Sequence, residues 1–263
     1  MFYNEKERKI NSEYLKNGYI IRDIPDKKSY KKVLLIIENI IKSKMSLKNN
    51  QNIFDNTHKF LKKSELNKFR VNLISKMNSN KNFRKLYYQI FKPYLDYIAG
   101  NELAMQNNIN LSIQLPKDES SLLDIHADTW SGDSSFEVVA WLPLVDCYKT
   151  KSMYILPPKE TGKLLKSNFL SDINNNNEKL FKKIKNKIKW LNIKKGQMLI
   201  FNQNLPHGNR KNLELDTRWS MNCRFKSIFS PYSAKKLGEF FEPINLKPAS
   251  RDGLNYKLPN FRR

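Results

Sequence analysis

The stretch "TRWSMNCRF" (217–225) constrains the fold more than any other, because it alternates without a break. Arg218, Ser220, Asn222 and Arg224 share one parity, and Trp219, Met221, Cys223 and Phe225 share the other. A strand sends successive side chains to opposite faces, so one face here is apolar and the other polar. Such a strand can pack its apolar face against the helices that precede it in the chain. "INLSIQL" (109–115) repeats the pattern, with Asn110, Ser112 and Gln114 on the polar side. "FEVVAWLPLV", "SMYILP" and "GQMLIF" are strand-like as well. The polar faces have two readings: they line a cavity, or they are the solvent sides of half-buried strands.

The strands follow a helical region. In "KSYKKVLLIIENIIKSKMS" (28–46), Val33, Ile36, Ile37, Ile40 and Ile41 recur at helical spacing. A second helical zone runs from Ser64 to Tyr97, with Ser64 as its N-cap and Gly100 as its stop. The asparagine run from Asn174 to Asn177 reads as a loop, and Glu178 to Lys189 as a Lys-rich helix. After Pro231 one short helix and a loop-rich tail are expected. Helices first and strands later exclude alternating βαβ units and predict an α+β fold, a helical layer on a β-structure. The expected organisation is one domain over residues 1–263. Residues 1–100 form mainly helical support, 101–230 the β core, and 231–263 a C-terminal helix and tail.

Composition narrows the partners. Lys and Arg number 48 against 25 Asp and Glu, a net charge of +23. The lysines are spread along the chain among Asn and Ile rather than gathered in one patch, which describes a solvated surface more than a nucleic-acid footprint. The same charge would also attract an acidic small molecule such as a nucleotide-linked sugar. The competing reading is a basic, non-catalytic binding protein for nucleic acid or an anionic ligand. Cys147 and Cys223 form no CxxC pair and read as reduced thiols in a cytoplasmic protein. "MFYNEKERKI" lacks the apolar core of a signal peptide, and no run approaches the roughly 18 apolar residues of a membrane span.

Only three histidines are present. His126 and Asp128, in "LDIHADTW", are two apart, so in an extended segment an imidazole and a carboxylate point the same way. His207, in "NLPHGNRKN", is available as a second imidazole, flanked by Pro206 and Gly208. Two His and one carboxylate with open positions are the facial set of non-haem iron(II) oxygenases. The bland reading is a pair of ordinary hydrogen-bonded strand histidines. Arg218 tips the balance: an arginine at a fixed place near such a site is a bidentate clamp for a distal carboxylate. His58, in "DNTHKF", has no acidic partner in strand register and reads as structural.

These segments resemble a known family. "SLLDIHADTWSGDSSFEVVAWLPLVD", "KSMYILPP", "GQMLIFNQNLPHGNR" and "TRWSMNCRF" are similar to the 2-oxoglutarate and iron(II)-dependent oxygenases of the phytanoyl-CoA dioxygenase type. The likeness is strongest to their sporadic carbohydrate cluster branch and covers about Met105 to Phe229. It implies a double-stranded β-helix, a cupin-like jelly roll, with helices packed on its outer face. It implies that His126, Asp128 and His207 hold Fe(II) and that Arg218 pairs with the far carboxylate of 2-oxoglutarate. Asn209 falls where the family often uses a small hydroxyl residue for the same carboxylate, and Gln114 is a further contact to cosubstrate or substrate. Substrate contacts are expected at Asn222 and Arg224. For Trp130 a platform for a sugar or nucleotide and a packing role stand level, while Trp141 reads as core. The implied reaction consumes O2 and 2-oxoglutarate to hydroxylate a small molecule in carbohydrate or surface-polysaccharide biosynthesis.

Overall fold

The computed structural model describes residues 2–43, 52–167 and 177–259. The N-terminal region builds four helices: α1 (Glu5–Asn17), α2 (Lys27–Lys42), α3 (Lys63–Asn78) and α4 (Phe83–Ile98). Helix α2 buries Val33, Ile37 and Ile41, the stripe the apolar spacing predicts. The last residues of that predicted stretch, 44–46, lie outside the described residues. Helix α3 begins one residue before Ser64, and its N-cap Lys62 makes no side-chain cap bond, which corrects the expected cap. Helix α4 ends where expected, with Gly100 at φ +111° just beyond its cap.

Two short elements were not legible as such. Helix α1 follows the Asn4 cap, and strand β1 (Tyr19–Asp23) interrupts the helical region. Gly18, left-handed at φ +78°, closes α1 and turns the chain into β1.

The later chain supplies β2 (Leu103–Gln106), β3 (Asn110–Gln114), β4 (Val138–Pro143) and β5 (Met153–Ile155). Helices α5 (Pro158–Leu165) and α6 (Asn177–Ile184) come next. Asn177 therefore opens a helix, while 174–176, read as loop, lie outside the described residues. The chain continues with β6 (Lys189–Trp190), β7 (Gln197–Asn202), β8 (His207–Asn209), β9 (Arg218–Ser227), β10 (Phe241–Pro243) and α7 (Pro248–Asn255).

Among the described residues, one antiparallel sheet runs in the order β1-β7-β4-β9-β2-β10, with β3 also paired to β9. A smaller antiparallel sheet runs β6-β5-β8. Strand β9 organises the larger sheet. Its first half pairs with β3, setting Arg218 opposite Gln114 and Asn222 opposite Asn110, and its second half pairs with β2. On its other side it pairs with β4.

The apolar parity of β9 faces the helices. Trp219, Met221, Cys223 and Phe225 are fully buried. Trp219 meets Phe54 edge-on at 5.3 Å and Phe69 of α3 at 6.2 Å, and its indole N–H donates to Thr57 Oγ1 at 2.8 Å. Burying a side chain of roughly 200 Å² contributes on the order of 5 kcal/mol. His58 is part of the same anchor: its backbone N–H donates to Thr217 Oγ1 at 3.2 Å, and its Nδ1 lies 3.0 Å from that oxygen. The register of β9 is thus fixed from behind, which sends its polar parity the other way.

Candidate metal and carboxylate site

The polar parity of β9 faces a cavity of roughly 450 Å³. Residues of both sheets line it. The larger sheet gives Asn110, Ser112, Trp141 and Phe201 together with Arg218, Ser220, Asn222 and Arg224, and the smaller gives Met153 and His207–Asn209. His126 and Asp128 complete the lining from the segment between β3 and β4. Trp141 also belongs to the main apolar core, so it packs and lines at once.

His126 and His207 are held by backbone pairing. Each donates its peptide N–H to the other's carbonyl, at 3.0 and 2.8 Å. Their rings stand 4.3 Å apart. Asp128 is not in a strand: it opens a short 3-10 turn, Asp128–Ser131, and its N–H donates to the Gln203 carbonyl at 3.1 Å. The turn replaces the extended pairing the sequence suggested, yet Asp128 Oδ1 still sits 3.4 Å from His126 Nε2.

The tautomers follow from the partners. His126 Nδ1 lies 2.7 Å from the Asp124 carbonyl and His207 Nδ1 lies 2.9 Å from the Leu205 carbonyl. A carbonyl can only accept, so both Nδ1 atoms carry the proton and both Nε2 atoms keep a lone pair. One potential donor atom each from His126, Asp128 and His207 lies within 4.8 Å of the others, a group that could hold one metal ion. Burial, helped by the neighbouring His126, lowers His207 to about 4, so its imidazole is neutral at pH 7. Burial opposes ionisation of Asp128, but the adjacent His126, His207 and Arg224 together outweigh it and hold the carboxyl well below its usual range. His126 is lowered by burial and raised more by Asp128 and the Asp124 carbonyl, for a net rise.

Arg224 does not offer itself to a substrate. Its Nη2 lies 2.8 Å from Asp128 Oδ2, and its Nε lies 3.3 Å from Asp133 and 3.1 Å from Gln203 Oε1. Lys235 closes the chain, 2.6 Å from the Asp133 carboxylate. Arg224 therefore occupies one oxygen of Asp128 and leaves Oδ1 toward the histidines. A partner behind a ligand typically changes metal affinity 10–100-fold. We predict that Arg224→Leu weakens binding of Mn(II) by about that factor while His126 and His207 stay in place. Titration of the purified variant with Mn(II) checks it, and unchanged affinity contradicts it.

Arg218 is different in kind. It is 3% exposed, donates to Ser112 Oγ at 3.0 Å and to the Ser152 carbonyl at 3.3 Å, and its Nε has no partner. No carboxylate pairs with it among the described residues. Burial lowers its pKa. A guanidinium out of water without a counter-ion is costly, and an anion in the cavity removes that cost.

The remaining expected contacts divide. Asn209 lines the cavity, but its Oδ1 accepts from Leu123 N at 2.7 Å and its Nδ2 reaches the Ser121 carbonyl at 3.4 Å, so it also ties down the 121–123 segment. Asn222 lines the cavity and accepts from Asn110 Nδ2 at 3.0 Å. Gln114 is buried beside the lining rather than on it, donating to the Arg210 carbonyl at 2.8 Å. Trp130 packs against the small cluster of Tyr154 and Leu156, away from the cavity. Arg70 of α3, which the sequence did not single out, is on the lining. Its only signal was a cation on a helix with no acidic residue three or four positions away.

Gly208 sets how closely β8 approaches the His126 segment. A Cβ there would stand 2.8 Å from the Leu123 carbonyl, 2.8 Å from Tyr154 Oη and 3.1 Å from the Asp124 carbonyl. Two of the three are backbone atoms that cannot swing away. Gly208→Ala should cost about 1–3 kcal/mol, lowering the melting temperature by several degrees. A thermal melt equal to wild type would contradict this packing.

With this geometry in place, comparison with solved structures is informative about the fold. The chain is similar to the non-heme monooxygenase ThoJ in its nickel complex, at 12% identity over 93% of this chain and 91% of that one, with a TM-score of 0.55. It is similar to HygX from Streptomyces hygroscopicus with nickel and 2-oxoglutarate bound, at 12% identity over 90% and 91%, TM-score 0.53. EctD from S. alaskensis with bound Fe matches at 12% identity over 88% and 81%, TM-score 0.51. At these identities the likeness establishes a shared fold. No family model matches the sequence, and neither does any curated protein.

Proposed function

We propose that this protein is an Fe(II)- and 2-oxoglutarate-dependent oxygenase of the phytanoyl-CoA dioxygenase type, built as one jelly-roll domain braced by its N-terminal helices. The observation that carries the reading is Arg218: a buried guanidinium without a carboxylate partner, lining the same cavity as the His126, Asp128 and His207 cluster. The residues fit both groups. Two neutral imidazole nitrogens and one carboxylate oxygen suit iron(II), and Arg218 suits a carboxylate at a fixed distance from it. The nickel and 2-oxoglutarate of HygX and the iron of EctD occupy proteins of the same fold, which supports the reading.

When bound, iron with 2-oxoglutarate supplies the oxidising chemistry; the protein supplies position and a dry site. His126, Asp128 and His207 would hold the iron. Arg224 orients Asp128. Arg218 fixes the far end of the cosubstrate, with Ser112 orienting Arg218. Val139, Trp141, Met153 and Phe201 wall the cavity with apolar surface. The amides and hydroxyls of Asn110, Asn222 and Ser220 suit a hydroxyl-bearing small molecule such as a sugar, which agrees with hydroxylation in carbohydrate or surface-polysaccharide biosynthesis.

The test is turnover. Protein loaded with Fe(II) and exposed to oxygen should convert 2-oxoglutarate to succinate, slowly without substrate and in proportion to oxygen used. Succinate formation equal to that of free Fe(II) would refute the assignment.

A further inference from the structure

We propose that the substrate of this site carries an oxyanion, a phosphate or carboxylate, and that Arg70 binds it; the inference rests on the oxygenase reading above and names its substrate class. Three arginines line the cavity. Arg224 is spent on Asp128 and Asp133. Arg218 goes to the cosubstrate. Arg70 belongs to neither task. It arrives from α3, is half-buried, and donates from Nη2 to Asn67 Oδ1 at 2.8 Å on its own helix. It forms no ion pair among the described residues.

Charge counting points the same way. Asp128 is the one carboxylate on the described lining, and Arg224 already neutralises it. Iron(II) brings two positive charges and 2-oxoglutarate two negative ones, so loading leaves the net positive charge of the lining unchanged, with Arg70 the arginine that has no assigned anion. A neutral substrate would partly desolvate this guanidinium and return only hydrogen bonds to neutral hydroxyls, whereas an oxyanion accepts its planar fork in two charge-assisted hydrogen bonds. Elsewhere on the lining, Asn110 Nδ2 donates to Asn222 Oδ1, which leaves Asn222 Nδ2 and Asn110 Oδ1 without partners among the described residues. These donors and acceptors match hydroxyl groups. The substrate class is therefore a small polyol bearing a terminal phosphate or carboxylate. The net charge of +23 draws such a molecule toward the protein.

The experiment is calorimetric binding to full-length protein loaded with Zn(II) and 2-oxoglutarate, so that no turnover intervenes. The probes are glucose 6-phosphate, glucuronate and neutral glucose. We expect a charged probe to bind at least about tenfold more tightly than glucose, the size of one charge-assisted contact. Which charged probe wins separates phosphate from carboxylate. Arg70→Met should erase the preference and Arg70→Lys should keep part of it, both with wild-type affinity for 2-oxoglutarate. Equal binding of all probes, no binding of either charged probe, or a preference that survives Arg70→Met overturns the proposal. If 2-oxoglutarate fails to bind wild type while Arg70→Met still abolishes charged-probe binding, the cosubstrate assignment falls and the anion site stands.

Discussion

Replacing Arg218 with Met should weaken 2-oxoglutarate binding about a hundredfold while leaving the ligand-free protein as stable as wild type, or more so. Removing one partner of a buried, hydrogen-bonded charge pair costs about 2–5 kcal/mol, and about 2.7 kcal/mol is a hundredfold. The stability half of the expectation separates this residue from an ordinary core arginine. In the ligand-free protein Arg218 makes two hydrogen bonds to neutral groups, leaves Nε unpaired and faces no carboxylate. Uncompensated burial of this kind costs several kcal/mol, more than two neutral partners return. Met fills a similar length without the charge. In wild type, 2-oxoglutarate should raise the melting temperature by linkage, and the variant should lose that rise. Thermal melts with and without 2-oxoglutarate read both halves. A variant that melts far below wild type and keeps the 2-oxoglutarate increment would make Arg218 a structural residue.

The second large effect belongs to His207. His207→Ala removes one of the three donors proposed for iron, and the Nε2 that the Leu205 hydrogen bond orients goes with it. Loss should exceed the 10–100-fold typical of a residue behind a ligand. Specific Fe(II) binding should therefore vanish at concentrations that saturate wild type. The ring also packs 4.9 Å from Phe201, so some stability goes with it, and circular dichroism at the assay temperature confirms the fold. Retained stoichiometric iron would place the metal elsewhere.

What the sequence disclosed follows from how local each signal is. The parity of β9 is written in consecutive residues and survives in the structure: the apolar half meets Phe54 and Phe69, and the polar half lines the cavity. Proximity of His126 to His207 across the chain is a pairing fact that no local pattern encodes, and it came instead from counting which residues could share an ion. Strand β1 was hidden because its residues, YIIRD, do not alternate between apolar and polar and gain their place by pairing with β7. Arg224 has the parity of a cavity residue, but parity does not say that Asp128 and Asp133 wait opposite it. Gln114 has the same parity and falls just outside the lining, its amide donating to the Arg210 carbonyl instead. Trp130 follows Asp128 too closely: the 3-10 turn carries it round to the small apolar cluster. Arg70 was invisible because a lysine- and arginine-rich chain offers no contrast against which one functional cation stands out.

The most direct test is an anaerobic titration of the Fe(II)-loaded protein with 2-oxoglutarate, followed in the visible range. Chelation of iron(II) by a 2-oxo acid gives a weak metal-to-ligand charge-transfer band. The account predicts a saturable band at one iron per chain in wild type. It is contradicted if iron is bound stoichiometrically and no band develops at any 2-oxoglutarate concentration, because the cavity then holds a metal without the cosubstrate that Arg218 is placed to receive.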